Sequence, residues 1–201
     1  MPIERFTARN FRCLENIELE ADPQYNLIYG RNASGKTSVL EAIAYLGRGK
    51  SFRGAATSDL IRHGQQDFVL FGEVKDGEHR AKVGVRNSHD GLELRIDGES
   101  AGGAAALAEA LPLQLIDPDV HELVAGAPEQ RRRYLDWIAF HVEHGFLDSW
   151  RRFRRALKQR NAALRSGASG AVLDGWNTEF AALAVAVDAG RRLALDVALD
   201  G

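Results

Sequence analysis

The sequence has 201 residues, of which 45% are hydrophobic and 27% charged, a composition typical of a globular protein with one or two domains. Its formal net charge of −2 argues against a generally basic nucleic-acid-binding protein, although a net charge can hide a local basic surface. Because Cys13 is the single cysteine, an internal disulfide is excluded. The sequence has no apolar run of ~18 residues and no signal-peptide pattern, so we expect a cytoplasmic protein with no membrane partner.

Strand patterns dominate the first half of the chain. Period-2 alternation predicts strands over 4–10 and 17–20, and a short apolar strand over 26–29 leads into a glycine-rich loop. From Lys36 the spacing becomes helical. That helix has one apolar side, formed by Val39, Leu40, Ile43, Ala44 and Leu46.

Four further strands are predicted, over 68–74, 81–86, 92–96 and 111–116. The Asp-Gly pairs at 76–77 and 90–91 are typical of tight turns, so we expect the first three of these strands to form antiparallel hairpins.

Helical periodicity replaces the strand patterns from about residue 119 to residue 200. A serine- and glycine-rich loop at 166–170 separates two predicted helices. Their apolar faces are Trp150, Phe153, Leu157 and Leu164 on one helix and Leu173, Trp176, Phe180, Leu183 and Val187 on the other. The sequence therefore predicts an α/β half followed by a helical half.

The glycine-rich loop matches the phosphate-loop pattern G-x-x-x-x-G-K-[ST] at every fixed position. Such a loop directs backbone N–H groups at phosphate oxygens, its lysine reaches the β- and γ-phosphates, and its threonine hydroxyl ligates Mg²⁺. The predicted ATP-binding residues are Gly30, Arg31, Asn32, Ala33, Ser34, Gly35, Lys36, Thr37 and the following Ser38, with Thr37 as a metal ligand. The motif predicts nucleotide binding but does not distinguish kinases, transporters, motors and DNA repair proteins.

The residues around the motif carry a more specific resemblance. Residues 8–20 read ARNFRCLENIELE, and residues 30–54 read GRNASGKTSVLEAIAYLGRGKSFRG. Residues 111–146 contain IDPDVHELV and RRRYLDWIAFH, and residues 150–165 read WRRFRRALKQRNAALR. Together they resemble the RecF family of bacterial recombination proteins over nearly the whole chain, and more broadly the ATPase heads of SMC-type proteins.

The resemblance implies a fold and a function. The fold is a P-loop ABC-type ATPase lobe over 1–116, with a mixed sheet containing antiparallel hairpins, followed by an α-helical lobe over 117–201. The function is that of an ATP-binding DNA replication and repair protein, active in the SOS response, which uses ATP and Mg²⁺. It would bind double-stranded and gapped DNA in an ATP-dependent way, form an ATP-dependent homodimer, act with RecR and RecO, and assist recombinase loading.

The resemblance also implies roles for single residues. Arg12, in the N-F-R element, is a candidate nucleotide contact, and the alternative is a surface arginine at a strand end. Gln114 is a candidate Q-loop glutamine that senses Mg²⁺ and the γ-phosphate, and the alternative is a polar residue on a strand. Ala33 replaces a second glycine that many such heads have, and a small residue still fits there.

A basic segment between 131 and 160 is the candidate DNA surface. Arg151, Arg155 and Lys158 share one helical face, turned away from the apolar face. They predict phosphate contacts to duplex DNA, with a solvated helix face as the alternative. His141 and His144 have no further ligand at metal-binding spacing, and Cys13 has no catalytic partner.

The sequence contains neither a Walker B strand nor an ABC signature turn, which ATP hydrolysis in this class requires. The nearest Walker B pattern, LQLID at 113–117, has an interior glutamine and a following proline. In the RecF family, whose members are weak ATPases, both elements lie C-terminal to this region, so we expect an N-terminal portion of uncertain enzymatic activity. The alternatives are a P-loop kinase or other nucleotide-metabolising enzyme, and an ATP-gated DNA clamp with marginal hydrolysis.

Overall fold

The computed structural model describes residues 2–77, 79–116 and 122–200. The chain divides into two compact units, Met1–Leu115 and Ile116–Gly201. Across the described residues, no helix combines the length and the apolar character that crossing a membrane requires.

The first unit is built on a six-stranded sheet of order β2-β1-β3-β4-β5-β6. All pairings in this sheet are antiparallel. The strands are β1 (Ile3–Phe11), β2 (Leu14–Glu20), β3 (Asp67–Asp76), β4 (His79–Ser88), β5 (Gly91–Ile96) and β6 (Glu99–Ser100).

Helix α1 (Lys36–Arg48) packs on this sheet. It ends at Gly49, whose left-handed backbone (φ 63°) lets its N–H bond the Tyr45 carbonyl at 2.7 Å. Period-2 alternation along β1 and β3 sends Phe11 and Phe68 into the core, where their rings pack edge-to-face at 5.1 Å and each meets Tyr45. A 3-10 turn (Thr57–Leu60) and helix α2 (Ala104–Ala110) complete the unit.

The second unit is helical, with α3 (Glu122–Ala125), α4 (Pro128–Val142), α5 (Phe146–Arg165) and α6 (Ala171–Asp200). Its core contains Ile138, Phe146 and Val187, together with Trp150. A half-buried polar network crosses this core, because Asp136 on α4 accepts hydrogen bonds from Trp150 Nε1 at 3.0 Å and from Arg191 Nε at 2.7 Å.

Most predicted elements are confirmed. The predicted strands over 4–10, 17–20, 68–74, 81–86 and 92–96 lie inside β1 to β5, with turns at the expected Asp-Gly pairs. The helix from Lys36, the helical second half and the loop at 166–170 are also observed. Strand β6 and the alanine-rich α2 were not predicted, since neither shows a clear apolar period.

Two predicted strands are wrong. Residues 26–29 and 111–116 have no strand assignment, and in the first segment Leu27 and Tyr29 are 84% and 85% exposed. An apolar run forms a strand only where a neighbouring strand accepts its backbone hydrogen bonds, and the described sheet offers none to these segments. The parallel component of the expected mixed sheet is consequently not observed among the described strands. The predicted apolar side of α1 was wrong at Leu40, which is 47% exposed.

The expected boundary at 116–117 and the pair Asp117-Pro118 touch residues 117–121, which lie outside the described residues.

Candidate nucleotide-binding site

The predicted phosphate loop is an exposed turn immediately before α1. Gly30 (φ 151°) and Gly35 (φ 93°) have backbone conformations that L-residues rarely adopt. Ala33 also has a positive φ of 62°, a conformation that a glycine would adopt at lower energetic cost. The glycines of the motif therefore have a conformational reason in this chain.

Close packing also leaves little room for a side chain at either glycine. A Cβ on Gly30 would lie 3.0 Å from Ser34 Oγ, and one on Gly35 would lie 3.2 Å from both Cys13 Sγ and Leu14 Cδ2. The loop is thus folded tightly on itself and on the turn between β1 and β2.

Lys36 and the start of α1 make the site electropositive. Lys36 Nζ donates to the carbonyl oxygens of Gly30 at 2.8 Å and Arg31 at 2.7 Å, so the ammonium group lies inside the curve of the loop. No side chain caps the N-terminus of α1, and its first turn has no acidic residue. Uncapped N–H groups and the helix dipole favour an anion here, so the loop fits the phosphates of ATP.

Thr37 and Ser38 differ in exposure. Thr37 is exposed, as a hydroxyl that ligates Mg²⁺ requires, whereas Ser38 is 8% exposed and its Oγ lies 3.4 Å from Cys13 Sγ. The hydroxyl of Ser38 is therefore engaged within the protein, and the predicted contact of this residue with nucleotide would use its backbone N–H.

Arg12 is held by a buried carboxylate. Its Nε and Nη2 donate to Glu41 Oε2 and Oε1 at 3.0 and 2.9 Å, and its Nη1 donates to the Asp59 carbonyl at 2.9 Å. Glu41 also accepts from Ser51 Oγ at 2.5 Å and lies 3.8 Å from Arg53 Nη1. The expected contact between Arg12 and nucleotide stays a prediction.

The environment of Glu41 shifts two ionisation equilibria. Burial by itself raises the pKa of Glu41, but the hydrogen bonds from Arg12 and Ser51 outweigh it and hold the pKa below its ordinary value. The hydrogen bond to Glu41 raises the pKa of Arg12. Both groups are therefore charged at neutral pH.

Glu41 was not among the predicted site residues. The sequence signal that could have found it is a carboxylate between Leu40 and Ala42, within the apolar run of α1. A charged residue with 0% exposure must be paired, and this identifies it as part of a specific network.

Gln114 is exposed and lies in the irregular segment after α2. The half-buried Arg48, at the end of α1, donates from Nη2 to the carbonyl of the preceding Leu113 at 3.0 Å. This bond attaches the segment to the helix that begins at the phosphate loop. The role of Gln114 toward Mg²⁺ and the γ-phosphate stays a prediction.

In the second unit, two arginines of α5 contact aromatic rings and the three predicted DNA-binding cations do not. Arg154 lies over the Trp150 ring at 5.5 Å, while Arg160 lies over the Phe180 ring at 5.3 Å and donates to Asn177 Oδ1 at 2.7 Å. The predicted DNA-binding residues Arg151, Arg155 and Lys158 are all exposed, and the only ion pair described among them is a long contact of 3.9 Å from Arg151 to Asp148.

No group of three or more histidine, cysteine or acidic side chains suited to a metal ion occurs within the described part of the chain.

Comparison with known proteins identifies relatives along nearly the whole chain. Residues 2–191 match the family described as RecF/RecN/SMC N terminal domain. A DNA replication and repair protein RecF from Actinobacillus pleuropneumoniae serotype 5b is 43% identical over 92% of this chain, and one from Azotobacter vinelandii is 44% identical over 98%. These alignments cover 51% and 55% of the two relatives, so the chain spans about half of their length.

Solved structures with a similar fold are also found. The structure described as the recombination mediator protein RecF with ATPrS in the RecFOR pathway superposes with a TM-score of 0.87 at 25% identity, over 96% of this chain and 54% of that one. An SMC ATPase, described in work on ATP-driven dimerization, superposes with a TM-score of 0.56 at 19% identity and supports the fold alone. The predicted fold class, an ATPase lobe of this type followed by a helical lobe, is confirmed.

Proposed function

Because the chain belongs to the RecF/RecN/SMC N-terminal domain family, we propose that it binds ATP with Mg²⁺ through the phosphate loop and functions as a RecF-type DNA replication and repair protein. The observation that carries the proposal is the curled loop of residues 30–37, in which Lys36 lies against the loop carbonyls at the uncapped start of α1. Thr37 is the proposed ligand of Mg²⁺ and Gln114 a second one.

DNA is the proposed macromolecular partner. RecF relatives are described as DNA replication and repair proteins, and the exposed cations of α5 have the charge and spacing that favour phosphate contacts. We propose that the protein acts in the cytoplasm, binds double-stranded and gapped DNA when ATP is bound, and assists recombinase loading.

Protein partners belong to the same proposal. The RecF structure with ATPrS is described as part of the RecFOR pathway, which supports RecR- and RecO-type mediators as partners. The structural likeness to SMC-type ATPases supports only a shared fold, so ATP-dependent homodimerisation is proposed on family grounds.

A P-loop kinase is not favoured. A kinase needs a lid with catalytic arginines and an acceptor pocket next to the phosphate loop, whereas this chain has an antiparallel sheet followed by a helical unit whose relatives are RecF proteins.

Replacement of Lys36 tests the nucleotide site. Lys36→Ala removes a charged donor worth about 1.5–3 kcal/mol, so we expect ATP affinity to fall by roughly 10- to 150-fold. The measurement is a titration of the 201-residue chain with a fluorescent ATP analogue in the presence of Mg²⁺. Lys82→Ala is the matched control, since this lysine is exposed on β4 and its replacement removes the same charge. Equal affinity of the Lys36→Ala variant and the wild type would reject the proposed site.

A further inference from the structure

The turn between β1 and β2 supports the last glycine of the phosphate loop. Cys13 Sγ and Leu14 Cδ2 both lie 3.2 Å from the place where a Cβ on Gly35 would be, and Leu14 is 7% exposed. A displacement of this turn would therefore open space behind Gly35, where the loop joins α1.

The turn needs external contacts to keep its shape. Arg12 has φ 55°, a left-handed conformation that is unfavourable for a residue with a Cβ. Its backbone N–H donates to the Leu60 carbonyl at 2.7 Å, and Arg62 Nη1 donates to the Cys13 carbonyl at 3.2 Å, so both of these bonds hold the turn on the side of residues 60–62.

The Arg12 side chain fixes the other side. Its guanidinium group donates to both carboxylate oxygens of Glu41, which lies on α1 one helical turn after Thr37. The turn behind Gly35 and the helix that follows Gly35 are therefore connected by two charge-assisted hydrogen bonds.

We propose that Glu41 is a positioning residue for nucleotide binding: by pairing with Arg12 it holds the β1–β2 turn against Gly35 and keeps the phosphate loop in its anion-binding shape. This inference depends on the proposed ATP binding and assigns Arg12 an indirect role. Neither residue needs to touch the nucleotide.

A direct contact between Arg12 and the γ-phosphate is energetically less favourable in this geometry. Three guanidinium N–H groups already have acceptors, and movement of Arg12 to a phosphate would leave the fully buried Glu41 without its principal cation. Leaving one member of a buried ion pair alone is strongly destabilising.

The test compares ATP and ADP affinities of the 201-residue chain for the wild type, Lys36→Ala, Glu41→Gln, Arg12→Ala and the Arg12→Ala/Glu41→Gln double variant. We expect Glu41→Gln to lower the affinities for ATP and for ADP by the same factor of about tenfold, as loss of a supporting outer contact commonly does. Arg12→Ala should act equally on both nucleotides, and the double variant should be little weaker than either single variant because both act through one pair.

Val83→Ala is the stability control. Val83 is fully buried in β4, which pairs with neither β1 nor β2, so the variant lowers the melting temperature of the same unit and should keep wild-type affinity. If Glu41→Gln does not fold, Arg12→Lys retains a cation beside the carboxylate and loses the two-pronged geometry. Arg12→Lys should lower the affinities for both nucleotides several-fold.

Three results would overturn the inference: wild-type affinity in Glu41→Gln, wild-type affinity in Arg12→Lys, or a loss in Arg12→Ala confined to ATP. The last would assign Arg12 to the γ-phosphate. A wild-type chain that binds neither nucleotide, or a Lys36→Ala variant that binds as well as the wild type, would instead reject the proposed ATP site and this inference with it.

Discussion

At Glu41, burial and ion pairing act on one carboxyl group in opposite directions. Burial raises its pKa, the hydrogen bonds from Arg12 and Ser51 lower it, and the net effect is a pKa below the ordinary value of 4.5. A carboxyl group whose pKa is lowered on folding stabilises the protein above its unfolded pKa, and this contribution disappears as the pH falls through the folded pKa. Glu41 therefore contributes to stability at neutral pH and much less in acid.

The pH dependence of Glu41→Gln follows from this sign. At pH 7 the variant should be less stable by about 2 kcal/mol, since it loses a hydrogen bond to a charged group. The difference in melting temperature between wild type and variant should be constant above the ordinary value of 4.5 and should shrink as the pH falls below it through the lowered pKa of the folded state, because the wild-type carboxyl group then takes up a proton. Thermal unfolding followed by circular dichroism measures this. A difference that is constant over the whole range would mean that the ionised form of Glu41 contributes nothing.

On the scale of an element, α5 uses similar side chains for two purposes. Arg154 and Arg160 cover aromatic rings and so belong to the packing of the helical unit. Arg151, Arg155 and Lys158 point away from it and are exposed. The second group is free to contact a DNA backbone without a loss of packing.

The triple variant Arg151→Ala/Arg155→Ala/Lys158→Ala tests the DNA surface. Each phosphate contact releases counterions, so loss of three contacts should lower the slope of log affinity against log salt by about 1 to 3 and weaken duplex binding at least about tenfold. The measurement is fluorescence anisotropy with a labelled duplex, with ATP present, at several salt concentrations.

The control for α5 removes three exposed cations elsewhere, Lys75→Ala/Lys82→Ala/Arg95→Ala. It changes the net charge by the same amount and should leave the slope unchanged if α5 is the specific surface. Equal slopes for the triple α5 variant and the wild type would mean that Arg151, Arg155 and Lys158 form an ordinary solvated helix face.

For the molecule as a whole, nucleotide binding and hydrolysis make different demands on the chain. The proposed binding groups, the phosphate loop and Thr37, lie within one unit. The 201 residues contain no Walker B strand to orient the attacking water and no signature turn to close on ATP from a partner subunit. The sequence thus contains the proposed binding motif, and neither of the two motifs for turnover is found in it.

We expect the 201-residue chain to bind ATP and to release phosphate no faster than its Lys36→Ala variant. A phosphate-release assay at saturating ATP and Mg²⁺, with and without duplex DNA, measures this. Turnover that requires Lys36 would contradict the expectation and would mean that another acidic residue of the chain orients the attacking water.

The sequence by itself determined the features that depend on neighbouring residues. The glycines of the phosphate loop, Lys36 and the start of α1 follow from a local motif, because loop curvature and the helix dipole are properties of a short segment. Hairpins β3–β4 and β4–β5 follow from alternation and Asp-Gly turns, and the helical second half follows from its apolar period. The family resemblance was readable in the same motifs.

Only the tertiary structure decided the features that depend on distant residues. Arg12 and Glu41 are 29 positions apart, and their pairing arises because β1 and α1 meet in space. The segment at 26–29 has the pattern of a strand but no strand partner among the described residues. Arg160 on α5 differs from the exposed cations of the same helix because Phe180 and Asn177 of α6 contact it. Hydrogen-bond pairing and burial depend on which surfaces meet, and a local pattern of residues does not specify that.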